Sequence, residues 1–149
     1  MNVFDEKQKF LNEESGRNDK QKILKYLCGK NIVEVGCGSG INLNLIESNY
    51  NCNLTGIDIS DRVINTLKLK KEIQRHSWNV FKGNGLYLNQ YFKENSIDTL
   101  IFCSVIHELF SYTEWQNKKF NYDTIRYIFS IAYQILKPNG RIIIRDGIM

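Results

Sequence analysis

Short apolar runs rich in isoleucine and valine alternate along this chain with longer segments whose apolar residues recur at helical spacing. That alternation predicts βαβ units, with a parallel sheet covered by helices on both faces. Asn31 to Val35, Leu54 to Ile59 and Trp78 to Lys82 read as the first three strands. Thr99 to Ile106 is apolar nearly throughout, as a strand buried on both faces should be, and Arg141 to Arg145 reads as the fifth. A helix from Ile41 to about Ser48 follows the first strand. Ser60 or Asp61 caps the next helix, in which Val63, Ile64 and Leu67 form a buried stripe. Ile125, Ile128, Phe129, Ala132, Ile135 and Leu136 mark a strongly amphipathic helix behind an Asp123 cap, and Pro138-Asn139-Gly140 ends it with a turn. Upstream, Asp5 to Glu14 reads as a helix broken at Ser15-Gly16-Arg17. A second runs from about Asp19 to Leu27, with Ile23, Leu24 and Leu27 on one face. The expected organisation is a helical segment over residues 1–30 packed on an α/β core over residues 31–149.

The chain has 149 residues, enough for one domain with a real core. Its 42% hydrophobic and 24% charged residues, without repeats or low-complexity tracts, set aside disordered and solenoid classes. The net charge of +4 is spread out. Lys68 to Lys71 with Arg75 reads as a solvated helix face, so the charge permits nucleic acid as a partner without indicating it. Cys28, Cys37, Cys52 and Cys103 form no C-x-x-C pair. They read as reduced thiols in the cytoplasm rather than disulfides or a metal site. The polar first ten residues do not resemble a secretory signal, and no apolar stretch approaches the ~18 residues of a membrane span.

The sharpest chemical signal is Glu34-Val35-Gly36-Cys37-Gly38-Ser39-Gly40, set between a strand and a helix. A sharp turn that lets a ligand approach its backbone needs residues without a Cβ, and the adjoining helix start offers free N–H donors. Dinucleotides call for G-x-G-x-x-G. Here the spacing is G-x-G-x-G, and Ile41 stands where the last glycine would be. Glu34 would repel a pyrophosphate but attract an amino acid's ammonium group. Spacing and charge thus both favour S-adenosylmethionine. Asp58, ending the second strand, is placed to hold ribose hydroxyls, and Ile59 to pack on adenine.

With these residues the chain resembles a class I S-adenosylmethionine-dependent methyltransferase. Further matches are Gly56-Ile57-Asp58, Ser96-Ile97-Asp98 ahead of the fourth strand, and Leu136-Lys137-Pro138-Asn139-Gly140-Arg141 ahead of the fifth. The resemblance implies a three-layer α/β/α sandwich, Rossmann-like, with a mostly parallel sheet in the order 3-2-1-4-5. It implies S-adenosylmethionine as cofactor, S-adenosylhomocysteine as product and a methyl acceptor as partner. Gly36, Gly38 and Gly40, with Cys37 between them, would lie beside the methionine part, Asp58 at the ribose and Ile59 at the adenine. The family usually places an acid after the third strand for the adenine amine. Asn84 and Gly85 stand there, and the Asn84 amide oxygen can accept that hydrogen bond. Backbone near Cys103 and Ser104 would face the methionine amine.

The acceptor belongs beyond the end of the fourth strand, at Ser104-Val105-Ile106-His107-Glu108-Leu109-Phe110-Ser111-Tyr112. His107 is the candidate general base, because imidazole takes a proton near neutral pH, and Glu108 is placed to orient it or to touch the substrate. Five rings between Phe110 and Tyr122 make a candidate lid or a docked loop, and Arg145-Asp146 either lines the pocket or forms a surface ion pair. His76 reads as a surface residue. The Asn/Asp-Pro-Pro-aromatic signature of amino-methylating DNA enzymes is absent, which lowers that substrate class. Among the remaining acceptors a small molecule is favoured over RNA or protein, a choice that the mild basicity does not make. The family usually continues past the fifth strand with a helix and an antiparallel hairpin. A chain ending earlier predicts a fragment, or self-association through the exposed edge of the fifth strand. Two other classes stay open: a non-catalytic cofactor-binding fragment or partner subunit, and a nicotinamide-dependent oxidoreductase.

Overall fold

The computed structural model describes residues 21–114 and 116–147, so the expected helix over Asp5 to Glu14 lies outside the described residues. The strands are β1 (Asn31–Val35), β2 (Asn53–Asp58), β3 (Asn79–Lys82), β4 (Ile97–Cys103) and β5 (Leu136–Arg145). They form one parallel sheet in the order β3-β2-β1-β4-β5, the order expected. The α-helices are α1 (Ile41–Asn49), α2 (Asp61–Gln74), α3 (Leu88–Tyr91), α4 (Ile106–Tyr112) and α5 (Tyr122–Ile135).

Two cores follow from the period of two along each strand. Val33, Val35, Ile57, Leu100 and Phe102 point to one face and meet Ile128, Ile131, Ala132 and Ile135 of α5. Ile32, Leu54, Ile101 and Cys103 point to the other and meet Leu43 and Ile46 of α1, Ile64 and Leu67 of α2, and Trp78. Ile23, in a 3-10 helix over Lys22–Tyr26, and Leu27 just after it join this second core; the helix expected from about Asp19 to Leu27 starts outside the described residues.

Opposite the candidate site, Asp98 ties the amino ends of the strands together. Its Oδ2 accepts the backbone N–H groups of Lys30 (3.0 Å) and Asn31 (2.9 Å) and the Lys137 Nζ (3.1 Å). Burial would raise this carboxyl, but the Asn31 N–H and the other two donors together hold it below its usual range. The conspicuous Ser96-Ile97-Asp98 motif is therefore a clamp.

Several boundaries differ from expectation. β4 ends at Cys103, because Ser104 takes a left-handed φ of 55° and donates its N–H to the Arg145 carbonyl at 2.7 Å. Residues 106–112, expected as strand end and loop, form α4 instead. Asn121 rather than Asp123 caps α5, its Oδ1 accepting the Asp123 N–H at 2.9 Å. Leu136 already pairs with Ile97, and the expected Pro138-Asn139-Gly140 turn is a bulge inside β5, after which Arg141 pairs with Thr99. His76 is half-buried, not a surface residue. Its Nδ1 meets Glu47 at 2.6 Å, and its ring stacks on Trp78 at 4.9 Å between centroids.

Candidate functional site

The turn after β1 is bent back onto β2 by its own backbone: the Gly36 and Cys37 N–H groups both donate to the Ile57 carbonyl, at 2.8 and 3.0 Å. Gly36, Gly38 and Gly40 have φ of 73°, 51° and 78°, the left-handed region that L side chains rarely adopt. What a side chain would meet differs among them. A Cβ on Gly36 would stand 2.6 Å from Val105 Cγ2, and one on Gly40 2.8 Å from Leu67 Cδ2. A Cβ on Gly38 would meet none of the described residues within 4 Å, its chain neighbours apart. Packing explains the outer two glycines. The middle one faces open space.

The Asp58 carboxylate holds this turn from the end of β2. Its Oδ2 accepts the Gly38 N–H at 3.1 Å and its Oδ1 the Ser60 N–H at 3.0 Å. Ser60 in turn caps α2 through the Val63 N–H. Beyond β3, Asn84 Oδ1 accepts the Leu86 N–H at 3.0 Å, so only its second lone pair is left for a ligand.

A cleft of about 210 Å³ opens over the carboxyl ends of β1 and β2. It brings together Gly36, Asp58, Ile59, Asn84, Gly85 and Glu108 from the sequence candidates. Val105, Leu109 and Tyr112, from the stretch expected at the acceptor, complete its wall together with Thr113, which the sequence did not single out. The stretch was not expected to be helical, although Val105, Glu108, Leu109 and Tyr112 follow the i, i+3, i+4, i+7 spacing of one helix face. Ile59, 65% exposed, presents its side chain to the cleft as a surface a flat ring can cover.

The remaining candidates stand around the cleft rather than in its wall. Glu34 is buried, with Oε1 accepting the Asn42 Nδ2–H at 2.7 Å. Cys37 is buried, and its side chain fills the space that a Cβ on Gly56 would need. Burial first, and then the negative charges of Glu34 and Asp58, push the Cys37 thiol up to about 12. It stays protonated and is neither nucleophile nor thiolate ligand. Cys103 is buried at the end of β4, and Ser104 Oγ accepts from Arg145 Nη1 at 2.9 Å. His107 lies in the first turn of α4, on the side of β5, with Nδ1 2.6 Å from Asp146 Oδ1. Phe110 packs against Phe120 and Tyr122, with centroids 6.0 and 5.1 Å away, so three of the rings beyond the fourth strand dock on one another.

A family model described as a methyltransferase domain matches residues 33–144. No curated protein matches the chain. Among solved structures, the chain is similar to the PH0226 protein of Pyrococcus horikoshii OT3, with 19% identity, a TM-score of 0.68, and 89% of this chain covering 57% of that one. A SAM-dependent methyltransferase from Archaeoglobus fulgidus gives 17% identity and a TM-score of 0.65, with 87% of this chain covering 50% of that one. Phosphoethanolamine N-methyltransferase 2 of Haemonchus contortus, in complex with S-adenosyl-L-methionine, gives 20% and 0.67, with 85% of this chain covering 27% of that one. The chain thus spans about half the length of the first two and a smaller share of the third. At these identities the likeness is one of fold.

Proposed function

This chain belongs to the methyltransferase domain family, and from that premise we propose that it binds S-adenosylmethionine and transfers its methyl group to a small-molecule acceptor. The observation that carries the reading is the open face of Gly38 beside the Asp58 carboxylate. The turn carries a glycine whose side-chain space is used by none of the described residues, next to an acid with lone pairs to spare. The residues present fit the cofactor. Gly36, Gly38 and Gly40 would flank its methionine part and Asp58 its ribose. Ile59, Asn84 and Gly85 would enclose the adenine, and the backbone of Cys103 and Ser104 would face the amino group. Glu34 and Asp58 place negative charge around the turn, which suits a ligand bearing ammonium and sulfonium charges and opposes a pyrophosphate. When bound, the cofactor supplies an electrophilic methyl group and leaves as S-adenosylhomocysteine.

The chain's own contribution is positioning and desolvation, which suffice for an in-line displacement once donor and acceptor are aligned. Val105 and Leu109 make the dry side of the cleft, Glu108 contributes a carboxylate at its rim, and His107 takes the acceptor's proton. The four unbridged cysteines support a reducing, cytoplasmic setting. Among the described residues β5 is the outermost strand, with Ile144 half-exposed, which supports self-association along that edge. A strictly monomeric mass by light scattering would count against it.

Calorimetric titration of the chain with S-adenosylmethionine, S-adenosylhomocysteine and NAD tests the cofactor assignment. Micromolar binding of the first two, weakened in Asp58→Asn, is expected. Binding of NAD alone would overturn it in favour of a nicotinamide enzyme.

A further inference from the structure

The contact between the ends of β4 and β5 has a geometry that the sequence motifs do not contain. Asp146 Oδ1 lies 2.6 Å from His107 Nδ1, and Asp146 Oδ2 accepts the His107 backbone N–H at 3.1 Å. The Gly147 N–H adds a 2.8 Å bond to Oδ1. Both oxygens of one carboxylate thus grip one histidine, and the carboxylate is only 14% exposed while the imidazole is 49% exposed. A surface ion pair leaves both partners in water and free to move. Here the acid is sheltered and the ring is fixed.

We propose that Asp146 is a positioning residue that fixes the His107 ring with Nδ1 as the donor, leaving Nε2 to take the acceptor's proton, and that the acceptor is a hydroxyl or amine with a proton to lose. The proposal rests on the methyl-transfer reading above and adds the acceptor chemistry.

A carboxylate only accepts hydrogen bonds, so Nδ1 must be the donor. Burial would raise the Asp146 carboxyl, but the His107 ring, the His107 N–H and the Gly147 N–H bring it below its usual range. It is therefore ionised at neutral pH. A neutral His107 then carries its proton on Nδ1 and a lone pair on Nε2. Among the described residues no hydrogen bond reaches Nε2. The other histidine is a contrast: His76 uses Nδ1 on Glu47 at 2.6 Å and Nε2 on Gln74 at 2.8 Å, leaving no nitrogen for chemistry. The other charged groups adjoining His107 are Glu108, next on α4, and Arg145, whose guanidinium is held on Ser104 Oγ. Ser104, His107 and Asp146 all stand at the carboxyl ends of β4 and β5, where open α/β sheets bind their ligands.

The step balances. The acceptor's oxygen or nitrogen lone pair forms the new bond to the methyl carbon, and the carbon–sulfur bond gives its pair to sulfur. Sulfur passes from sulfonium to neutral thioether, and the acceptor's proton goes to His107 Nε2. A carboxylate or thioether acceptor would need no such base.

The test is the imidazole tautomer, read by long-range 1H–15N correlation on the labelled 149-residue chain at a pH where His107 is neutral. The wild type should show Nδ1–H and an unprotonated Nε2 at His107. In Asp146→Ala no carboxylate oxygen remains to accept from Nδ1, and an unheld imidazole favours the Nε2–H form, so the lone-pair resonance should move from Nε2 to Nδ1. An Nε2–H tautomer in the wild type overturns the proposal. So does an unmoved tautomer in a folded Asp146→Ala. As a second readout, diethylpyrocarbonate should modify His107 Nε2 and spare His76. Equal modification of the two histidines would contradict the assignment. Calorimetry with S-adenosylmethionine is run alongside. A wild type that shows the Nδ1–H tautomer but does not bind loses the cofactor reading, whereas one that binds but shows Nε2–H loses only the positioning role.

Discussion

Substituting alanine at Gly36 and at Gly38 should separate packing from ligand binding within a single turn. Both positions have a left-handed φ, of 73° and 51°, so alanine costs about 1 kcal/mol at either after the loss of glycine's unfolded-state freedom is counted. At Gly38 nothing else is added, because among the described residues none but its chain neighbours lies within 4 Å of the new Cβ. For a chain of this size that is a fall in Tm of roughly 2–4 °C. At Gly36 the new Cβ would stand 2.6 Å from Val105 Cγ2 and 3.0 Å from Val105 Cβ. Valine has no flexible end to move aside, and overpacking brings the total to about 3 kcal/mol, or roughly 6–12 °C. Affinity should follow the opposite order. The methyl of Gly38→Ala occupies the space assigned to the cofactor, so binding of S-adenosylhomocysteine should weaken more than tenfold, about 1.4 kcal/mol or more. Differential scanning calorimetry and isothermal titration on the same samples read both quantities. A Gly38→Ala protein that binds as tightly as the wild type would refute the reasoning, since no ligand would then lie over that face.

Other predictions concern parts away from the turn. Asp98, Glu47 and Asp146 all have carboxyls held below their ordinary range, so their contribution is fully present above the unfolded value of about 4 and is lost as pH falls through and below it. The urea midpoint should therefore drop between pH 6 and pH 3, and Asp98→Asn should flatten that drop; an unchanged slope would count against the clamp. Cys37, with its thiol pushed up to about 12, should resist thiol reagents at pH 8 until the chain unfolds, as peptide mapping after labelling will show. Arg75 ends α2 at an exposed position with a left-handed φ of 56°, so Arg75→Gly should raise stability by about 0.5–1 kcal/mol in urea melts.

The sheet and the turn were legible because their signals are local. Each strand is a short β-branched run, and Gly36, Gly38, Gly40 and Asp58 sit at fixed distances from strand ends. What escaped notice depended on backbone choices or on contacts remote in sequence. α4 was hidden because Val105 and Ile106 continue the apolar run of β4. The break is a left-handed Ser104, a conformation that serine does not announce. Asn121 and Asp123 are both good caps two residues apart, and the hydrogen bond alone decides which one acts. Asp98 looked like part of a functional motif, yet it works at the other end of the strands. His107 was identifiable as a titratable group near the acceptor. Its partner Asp146 lies 39 residues away and becomes visible only when β4 and β5 are side by side.

The claim that the glycine turn is a cofactor site is tested most directly by following backbone amide shifts while S-adenosylhomocysteine is added to the labelled chain. Saturable shifts are predicted at Gly36, Gly38, Ile59, Asn84 and Gly85, with the Lys30–Asn31 and Asp98 amides at the opposite end of the sheet unmoved. No saturable shift in the folded chain, or shifts confined to the far end, would contradict the account.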